Sequence, residues 1–314
     1  MSSPLQQTVA VKAHKMKLRP HMKLEPAARA ILENCLEQIQ DNHSAIKAGA
    51  DPDCVRQMHV GLRRLHSALK VFDHSVRVPD TLQAELDYLS KKLGEARDWQ
   101  VFSSCTLVTI QTIAPAEAKL SGLQQAALLI ANKKQTKIYT ALKSRRSECL
   151  ISALSAWLEQ PTLIETAKSL KNKNPTTALI SFAQEILFHQ QKNLLKRGKK
   201  LFKAEADADP RTSHQFRIAI KNARYPCNFF ENLFVEKDIN AYINSLSNLQ
   251  DILGSINDGA VAGQLLQVIN ERQSDHRAGS NFALGYLMSQ DQLQQQKLRS
   301  AWKKFKNIHL PELK

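Results

Sequence analysis

An internal repeat of basic residues constrains the fold of this chain more than any other feature. In the first half, basic or histidine side chains occupy offsets 0, 3, 7, 8 and 10, as Arg56, His59, Arg63, Arg64 and His66. The same offsets recur 158 positions later, counted from 56 to 214, as His214, Arg217, Lys221, Asn222 and Arg224. One repeated motif of this length already indicates a duplicated helical unit.

A second motif recurs in the same order. Leu93-Gly94-x-x-Arg97-Asp98 is matched by Leu253-Gly254-x-x-Asn257-Asp258, which lies 160 positions further along, counted from 93 to 253. Two different motifs at nearly the same interval predict a tandem duplication in which each copy has about four helices. The predicted organisation is an N-terminal arm at 1–23, a first repeat at 24–160, a linker at 161–176 and a second repeat at 177–314.

The spacing of apolar residues predicts an all-α fold. Met58, Leu62 and Leu65, for example, recur every three or four residues, as on one face of a helix. With Gly 10 and Pro 11 in 314 residues, the chain also has few helix breakers. We predict helices at 24–47, 55–72, 81–113, 115–158, 177–204, 211–234, 238–272, 280–288 and 292–305. The N-terminal arm is expected to be extended and is the one stretch with a strand-like pattern.

Each basic row is expected to lie on one side of its helix. Offsets 0, 3, 7 and 10 share a face because 3.6 residues make a turn, so a row is about 15 Å long. The apolar stripe lies beside it and can pack in a bundle while the row stays accessible. Because the chain has Lys+Arg 44 against Asp+Glu 29, a net charge of +15, two such rows favour an anionic partner over a merely solvated face.

Several common classes of protein are disfavoured by the sequence. The five cysteines are scattered with no C-x-x-C pair, which predicts neither disulfides nor a zinc site and indicates a reducing compartment. No signal peptide and no membrane-spanning run is evident, so we expect a cytoplasmic protein without a membrane partner. The glycine-rich phosphate loops and the usual hydrolase motifs do not occur. We therefore predict no cofactor, no metal and no catalysis.

The two motifs together resemble the CHAD family of histidine-containing α-helical domains. The second repeat fits best, with His214, Arg217, Lys221, Arg224 and Tyr225 followed by Leu253-Gly254 and Asn257-Asp258. The first fits in VGLRRL (60–65) and LGEARD (93–98). The resemblance implies two tandem four-helix bundles related by a pseudo-two-fold around a basic central groove or pore. It also implies non-catalytic binding of inorganic polyphosphate or another polyanion, and location at polyphosphate granules.

The candidate binding residues come from both rows and from the helix before the second one. They are Arg56, His59, Arg63, Arg64, His66, His214, Arg217, Lys221, Arg224, Lys196, Arg197 and Lys200. Asp98 and Asp258 are predicted to follow turns at Gly94 and Gly254, and to cap helices or orient arginines. The first repeat departs from the family pattern, because Arg56 replaces its histidine while His59 and His66 replace arginines. Binding is therefore expected to be stronger through the second repeat.

Three alternatives remain open at this stage. The basic surface could bind nucleic acid non-specifically, although aromatic residues are only 6% and do not alternate with the basic rows. A phosphotransferase or polyphosphate hydrolase could use His214, although no phosphate loop or carboxylate cluster accompanies it. The third alternative is a basic scaffold without a ligand. Oligomeric state, protein partners, chain-length preference and physiological role do not follow from the sequence.

Overall fold

The all-α prediction is confirmed. A computed structural model describes residues 9–49, 53–73, 75–161, 179–203, 210–272 and 274–314. The α-helices are α1 (Leu24–Lys47), α2 (Asp53–Val71), α3 (Asp80–Val101), α4 (Leu107–Gln111), α5 (Leu120–Leu142), α6 (Arg145–Leu158), α7 (Leu179–Lys203), α8 (Pro210–Phe230), α9 (Glu236–Arg272) and α10 (Arg277–Phe305). Within the described ranges there is no strand, and an isolated antiparallel bridge joins Phe234 to Leu313.

Short π and 3-10 segments connect some of these helices. A π-helix at Phe102–Thr106 joins α3 to α4, and 3-10 turns cover Ala116–Ala118, Glu231–Leu233 and Ser274–His276. The described arm from residue 9 up to α1 contains neither helix nor strand. In the part of the chain that the structure describes, no helix has both the length and the apolar character needed to cross a membrane.

Two of the predicted helix boundaries are wrong. The helix expected over 115–158 is interrupted between α5 and α6, where Ser144 is extended with φ −77° and ψ 155°. The separate helices expected at 280–288 and 292–305 form the continuous α10. That junction contains serine, glutamine and aspartate but neither glycine nor proline, so nothing in it stops a helix. From residue 162 onward the predicted linker lies outside the described residues.

The chain divides into two compact units, each of which draws on both sequence repeats. The first unit comprises Met1–Ser90, Leu142–Asn248 and Lys303–Lys314, and the second comprises Lys91–Ala141 and Leu249–Trp302. The repeats and the compact units are therefore different divisions of the chain. The arrangement as two bundles with pseudo-two-fold symmetry stays a prediction.

The core of the first unit is built from helices of both repeats. α1 packs along α2, α7 packs along α8, and α2 also contacts α8. Aromatic rings join these pairs: Phe72 stacks on Phe182 with ring centroids 5.5 Å apart, and Phe182 meets Phe230 edge-on at 6.2 Å. The predicted stripe of α2 is confirmed, since Met58, Leu62 and Leu65 are all buried.

Close approach of α1 and α2 depends on Gly61. A Cβ atom at this position would lie 2.9 Å from Cγ1 of Ile39, a side chain that is only 1% exposed. We expect Gly61→Ala to lower the free energy of unfolding by about 1–2 kcal/mol, because overpacking costs more than alanine gains in helix propensity. Chemical denaturation measures this change.

The matched control for that substitution is Gly285→Ala in α10. A Cβ atom there meets nothing within 4 Å, so the same change is expected to stabilise the protein by up to about 1 kcal/mol. Equal effects of the two substitutions would contradict the role assigned to Gly61.

A ladder of buried amides on α1 holds the N-terminal arm. Asn34, Gln38 and Asn42 are four residues apart, on one face of the helix, and all three are buried. Asn42 donates to the carbonyl oxygen of Val11 at 2.8 Å and accepts from its N–H at 3.1 Å. Asn34 donates to the carbonyl oxygen of His14 at 3.2 Å. The described arm is therefore a fixed part of the first unit.

The second unit has its own apolar core. Trp99 and Phe102, from the end of α3 and the π-helix, meet edge-on with centroids 6.0 Å apart. Buried residues of α5, α9 and α10 pack with them, including Leu123, Leu266 and Ala283. The presence of Phe102 in this core anchors the π-helix from inside.

Candidate functional site

The two basic rows lie on neighbouring helices of the first unit. The first row is on α2 and the second is on α8, and these two helices contact each other. α7, which carries Lys196, Arg197 and Lys200, packs along α8. All twelve predicted binding residues thus belong to one compact unit.

Two members of the first row are engaged by carboxylates. The exposed Arg56 forms a two-pronged ion pair with Asp53, one turn earlier, and its Nη2 lies 3.0 Å from Oδ2. This hydrogen bond lowers the pKa of Asp53 and raises that of Arg56. His66 is half-buried, with Nε2 2.9 Å from Oδ1 of Asp87 and Nδ1 2.8 Å from the carbonyl oxygen of Leu62. Each side chain is therefore held by a carboxylate, Arg56 by one on its own helix and His66 by one on α3.

The adjacent arginines Arg63 and Arg64 have different surroundings. Arg64 donates from Nη1 to Oε1 of Gln38 at 2.9 Å and from Nη2 to Oδ1 of Asn34 at 2.7 Å. Its guanidinium carbon also lies 5.7 Å from the ring centroid of Phe229 on α8. Arg63 is half-buried and forms no ion pair with a described residue. Arg64 therefore holds α1, α2 and α8 together, whereas Arg63 stays available.

The second row is more uniform. His214 is exposed, whereas Arg217, Lys221 and Arg224 are half-buried. The Nε atoms of Arg217 and Arg224 are fully buried, so their side-chain stems are fixed along the helix surface. On α7, Lys196 and Lys200 are exposed, and Arg197 donates to Oε1 of Gln215 on α8 at 2.5 Å. The side-chain stems of Arg217 and Arg224 thus have a defined direction.

The glycine turns predicted before Asp98 and Asp258 are wrong. Gly94 lies inside α3 and Gly254 inside α9, and both aspartates continue those helices. Neither aspartate is a helix cap, since a cap precedes the first turn. Both are exposed, and they belong to the second compact unit. Within the described residues Asp258 forms no ion pair, so its predicted orientation of an arginine gains no support.

A solved structure is similar to this chain over almost its whole length. The crystal structure of the CHAD domain from the plant Ricinus communis is 34% identical and matches 98% of this chain and 99% of its own, with a TM-score of 0.82. The profile of the CHAD domain matches residues 30–267. The chain belongs to the CHAD family. PptA from Streptomyces chartreusis shares the fold at 14% identity, over 90% of this chain and 100% of its own, with a TM-score of 0.65. No curated protein matches.

Sequence reasoning missed the groups that support the basic rows of this CHAD domain. Asp53 and Asp87 pair with row members, and Asn34 and Gln38 hold Arg64. One signal was available for the amides, because polar residues spaced by four on an otherwise apolar helix face indicate a buried network. Asp87 carries no such signal, since its partner is 21 residues away in sequence.

A mixed pocket lies beside Arg64 in the first unit of the CHAD domain. Its volume is about 390 Å³, and its cationic lining includes Lys15 of the arm, Arg64 and Lys314. Glu231 and Glu236 also line it, and Lys15 lies 3.7 Å from Glu231. Among the described residues there is no group of three or more His, Cys, Asp or Glu placed to hold a metal ion.

Proposed function

We propose that this CHAD protein binds inorganic polyphosphate without catalysis, through the cations of α2, α7 and α8. One observation carries the proposal: the two duplicated basic rows occupy helices that pack against each other in a single unit. A linear polyanion can engage several such cations at once, whereas one exposed ion pair contributes only about 0–1 kcal/mol.

The residue types suit phosphate oxygens. Arginine presents a planar fork that binds two oxygens, and lysine supplies a mobile point charge. In the second row, Arg217 and Arg224 stand at offsets 3 and 10 with buried Nε atoms, so less side-chain freedom is lost when phosphate binds. We assign the larger share of the affinity to this row.

The first row contributes less in this proposal. Phosphate must compete with Asp53 for Arg56 and with Asp87 for His66, and Arg64 already donates two hydrogen bonds to α1. Arg63 forms no ion pair with a described residue, so phosphate does not have to displace a carboxylate there. His59 is half-buried and is included through its position in the row.

Titration with polyphosphate at fixed pH and salt tests the proposal. Four charge-assisted contacts of about 1.5–3 kcal/mol each total about 6–12 kcal/mol. After the cost of ordering ligand and side chains is subtracted, we expect a dissociation constant between about millimolar and micromolar. Affinity is also expected to fall linearly with salt on logarithmic axes, with a slope that increases with the number of phosphates neutralised.

Competition with duplex DNA distinguishes polyphosphate binding from non-specific nucleic-acid binding. At equal phosphate concentration and physiological salt, DNA is expected to displace little polyphosphate, because its backbone is wider and stiffer than a single phosphate chain. Full displacement would favour the nucleic-acid alternative. If polyphosphate does not bind at all, the proposal fails and the alternative of a basic scaffold without a ligand is favoured.

A further inference from the structure

The second unit contains a groove whose lining differs in charge from the rest of the protein. It has a volume of about 670 Å³. Three stretches line it: the end of α3 with the following π-helix and α4, the middle of α9, and α10. Two carboxylates, Asp258 and Asp291, line it, and no lysine or arginine does. The chain as a whole has Lys+Arg 44 against Asp+Glu 29. A groove lined by carboxylates and by no basic residue in such a chain favours a positively charged ligand.

Small residues on α9 create the depth of the groove. Gly259, Ala260 and Gly263 line it at this point. A Cβ atom at Gly259 would lie 4.0 Å from Cδ2 of Leu287, and one at Gly263 would lie 3.7 Å from Cδ2 of Leu284. These are ordinary contact distances, so packing between α9 and α10 does not require glycine. The absent side chains leave volume open to a ligand.

The walls of the groove are mainly apolar and partly exposed to solvent. Leu284 is 37% exposed and Met288 is 70% exposed, both on α10. On the opposite wall, the π-helix has Phe102 in the core, while Cys105, three residues later, is exposed and lines the groove. Such wide turns within helices are frequent at functional sites.

We propose that this groove binds a small organic cation with an apolar body, a ligand class opposite in charge to polyphosphate. Its volume lies within the range of about 300–1,000 Å³ that small-molecule sites usually have. The apolar body packs against Leu284 and Leu287, and the cationic group faces Asp258 and Asp291. Neither carboxylate forms an ion pair with a described residue, so a ligand does not have to displace a cationic side chain to reach them. Tyr286 adds an aromatic ring, a common partner of organic cations.

Cys105 reports the charge preference of the groove. We expect the cationic trimethylammonium-ethyl thiosulfonate to modify Cys105 at least about fivefold faster than the anionic sulfonate-ethyl thiosulfonate of similar size. An electrostatic attraction of about 1 kcal/mol between the groove and the cation gives that ratio. Cys149 is an exposed cysteine of the same chain, one turn after Arg145 on α6, and is expected to prefer the anionic reagent. Peptide mass spectrometry measures both rates. Equal preferences at the two cysteines would overturn the proposal.

Occupancy is tested by protection of Cys105 from iodoacetamide, with 3-phenylpropylammonium as the probe. The probe at millimolar concentration is expected to slow the alkylation of Cys105 at least about threefold and to leave the alkylation of Cys149 unchanged. The anionic analogue 3-phenylpropionate is expected to protect neither cysteine. Gly259→Leu fills the groove and should abolish the protection. Gly285→Leu, on an exposed stretch of α10 outside the lining, should keep it.

The possible results separate this proposal from others. Protection by the carboxylate as well as the amine, or protection that persists in Gly259→Leu, would overturn it. Protection by a basic amphipathic helical peptide but not by the amine would replace a small ligand with a docked helix. Polyphosphate affinity is expected to be unchanged in Gly259→Leu, so failure here is distinguishable from failure of the polyphosphate proposal.

Discussion

Replacement of Arg217 and Arg224 by glutamine is expected to weaken polyphosphate binding at least about a hundredfold. Each guanidinium contributes charge-assisted hydrogen bonds worth about 1.5–3 kcal/mol, and each 1.4 kcal/mol corresponds to a tenfold change in affinity. The buried Nε atoms fix both side chains along α8, so glutamine, which is shorter and uncharged, cannot reach the same oxygens. Calorimetric titration with polyphosphate measures the change.

The control for this variant removes the same charge elsewhere. Arg277→Gln/Arg299→Gln takes two positive charges from exposed positions of α10, leaving both basic rows intact. These arginines belong to neither basic row, and exposed charges are screened at physiological salt, so we expect a loss of no more than about threefold. Thermal unfolding of both variants verifies that the fold is retained. Equal losses would mean that total charge, and not the row, determines binding.

The helical elements were largely predictable from the sequence because apolar spacing reports directly on burial. The stripe of Met58, Leu62 and Leu65 identified both α2 and its buried face. The break at Ser144 was missed because no glycine or proline marks it, although serine in an extended conformation is a usual residue before a helix. The glycine motifs misled in the opposite direction, since Gly94 and Gly254 are accommodated inside helices.

The site was predictable as a surface but not as a set of separate roles. Helical geometry places offsets 0, 3, 7 and 10 of the first row on one side of α2, and Arg56 pairs with Asp53 only three residues earlier in the chain. The partners of Arg64 lie 26 and 30 residues earlier in the chain. No short-range pattern reveals such contacts, because they depend on how α1 docks on α2. Two adjacent arginines that look equivalent in sequence therefore differ in structure.

Replacement of Arg64 by methionine is expected to lower the free energy of unfolding by about 2–4 kcal/mol. Gln38 is 2% exposed and Asn34 is 8% exposed, and each loses its donor while remaining buried. Loss of a hydrogen bond to a charged group costs about 1.5–3 kcal/mol, and the total is reduced here because the guanidinium is half-buried. Methionine keeps the unbranched stem, so the loss reports on the polar contacts. Chemical denaturation at neutral pH measures it.

Arg63→Met is the matched control, one residue earlier on the same helix. Arg63 pairs with no described carboxylate, so its loss is expected to cost less than about 0.5 kcal/mol of stability, as for ordinary surface substitutions. The effects on polyphosphate should be reversed, with affinity reduced about tenfold in Arg63→Met and less than about threefold in the folded Arg64→Met protein. If both variants lose stability alike, the amide ladder does not depend on Arg64. If both lose affinity alike, Arg64 binds the ligand directly, and its contacts with α1 position it for that purpose.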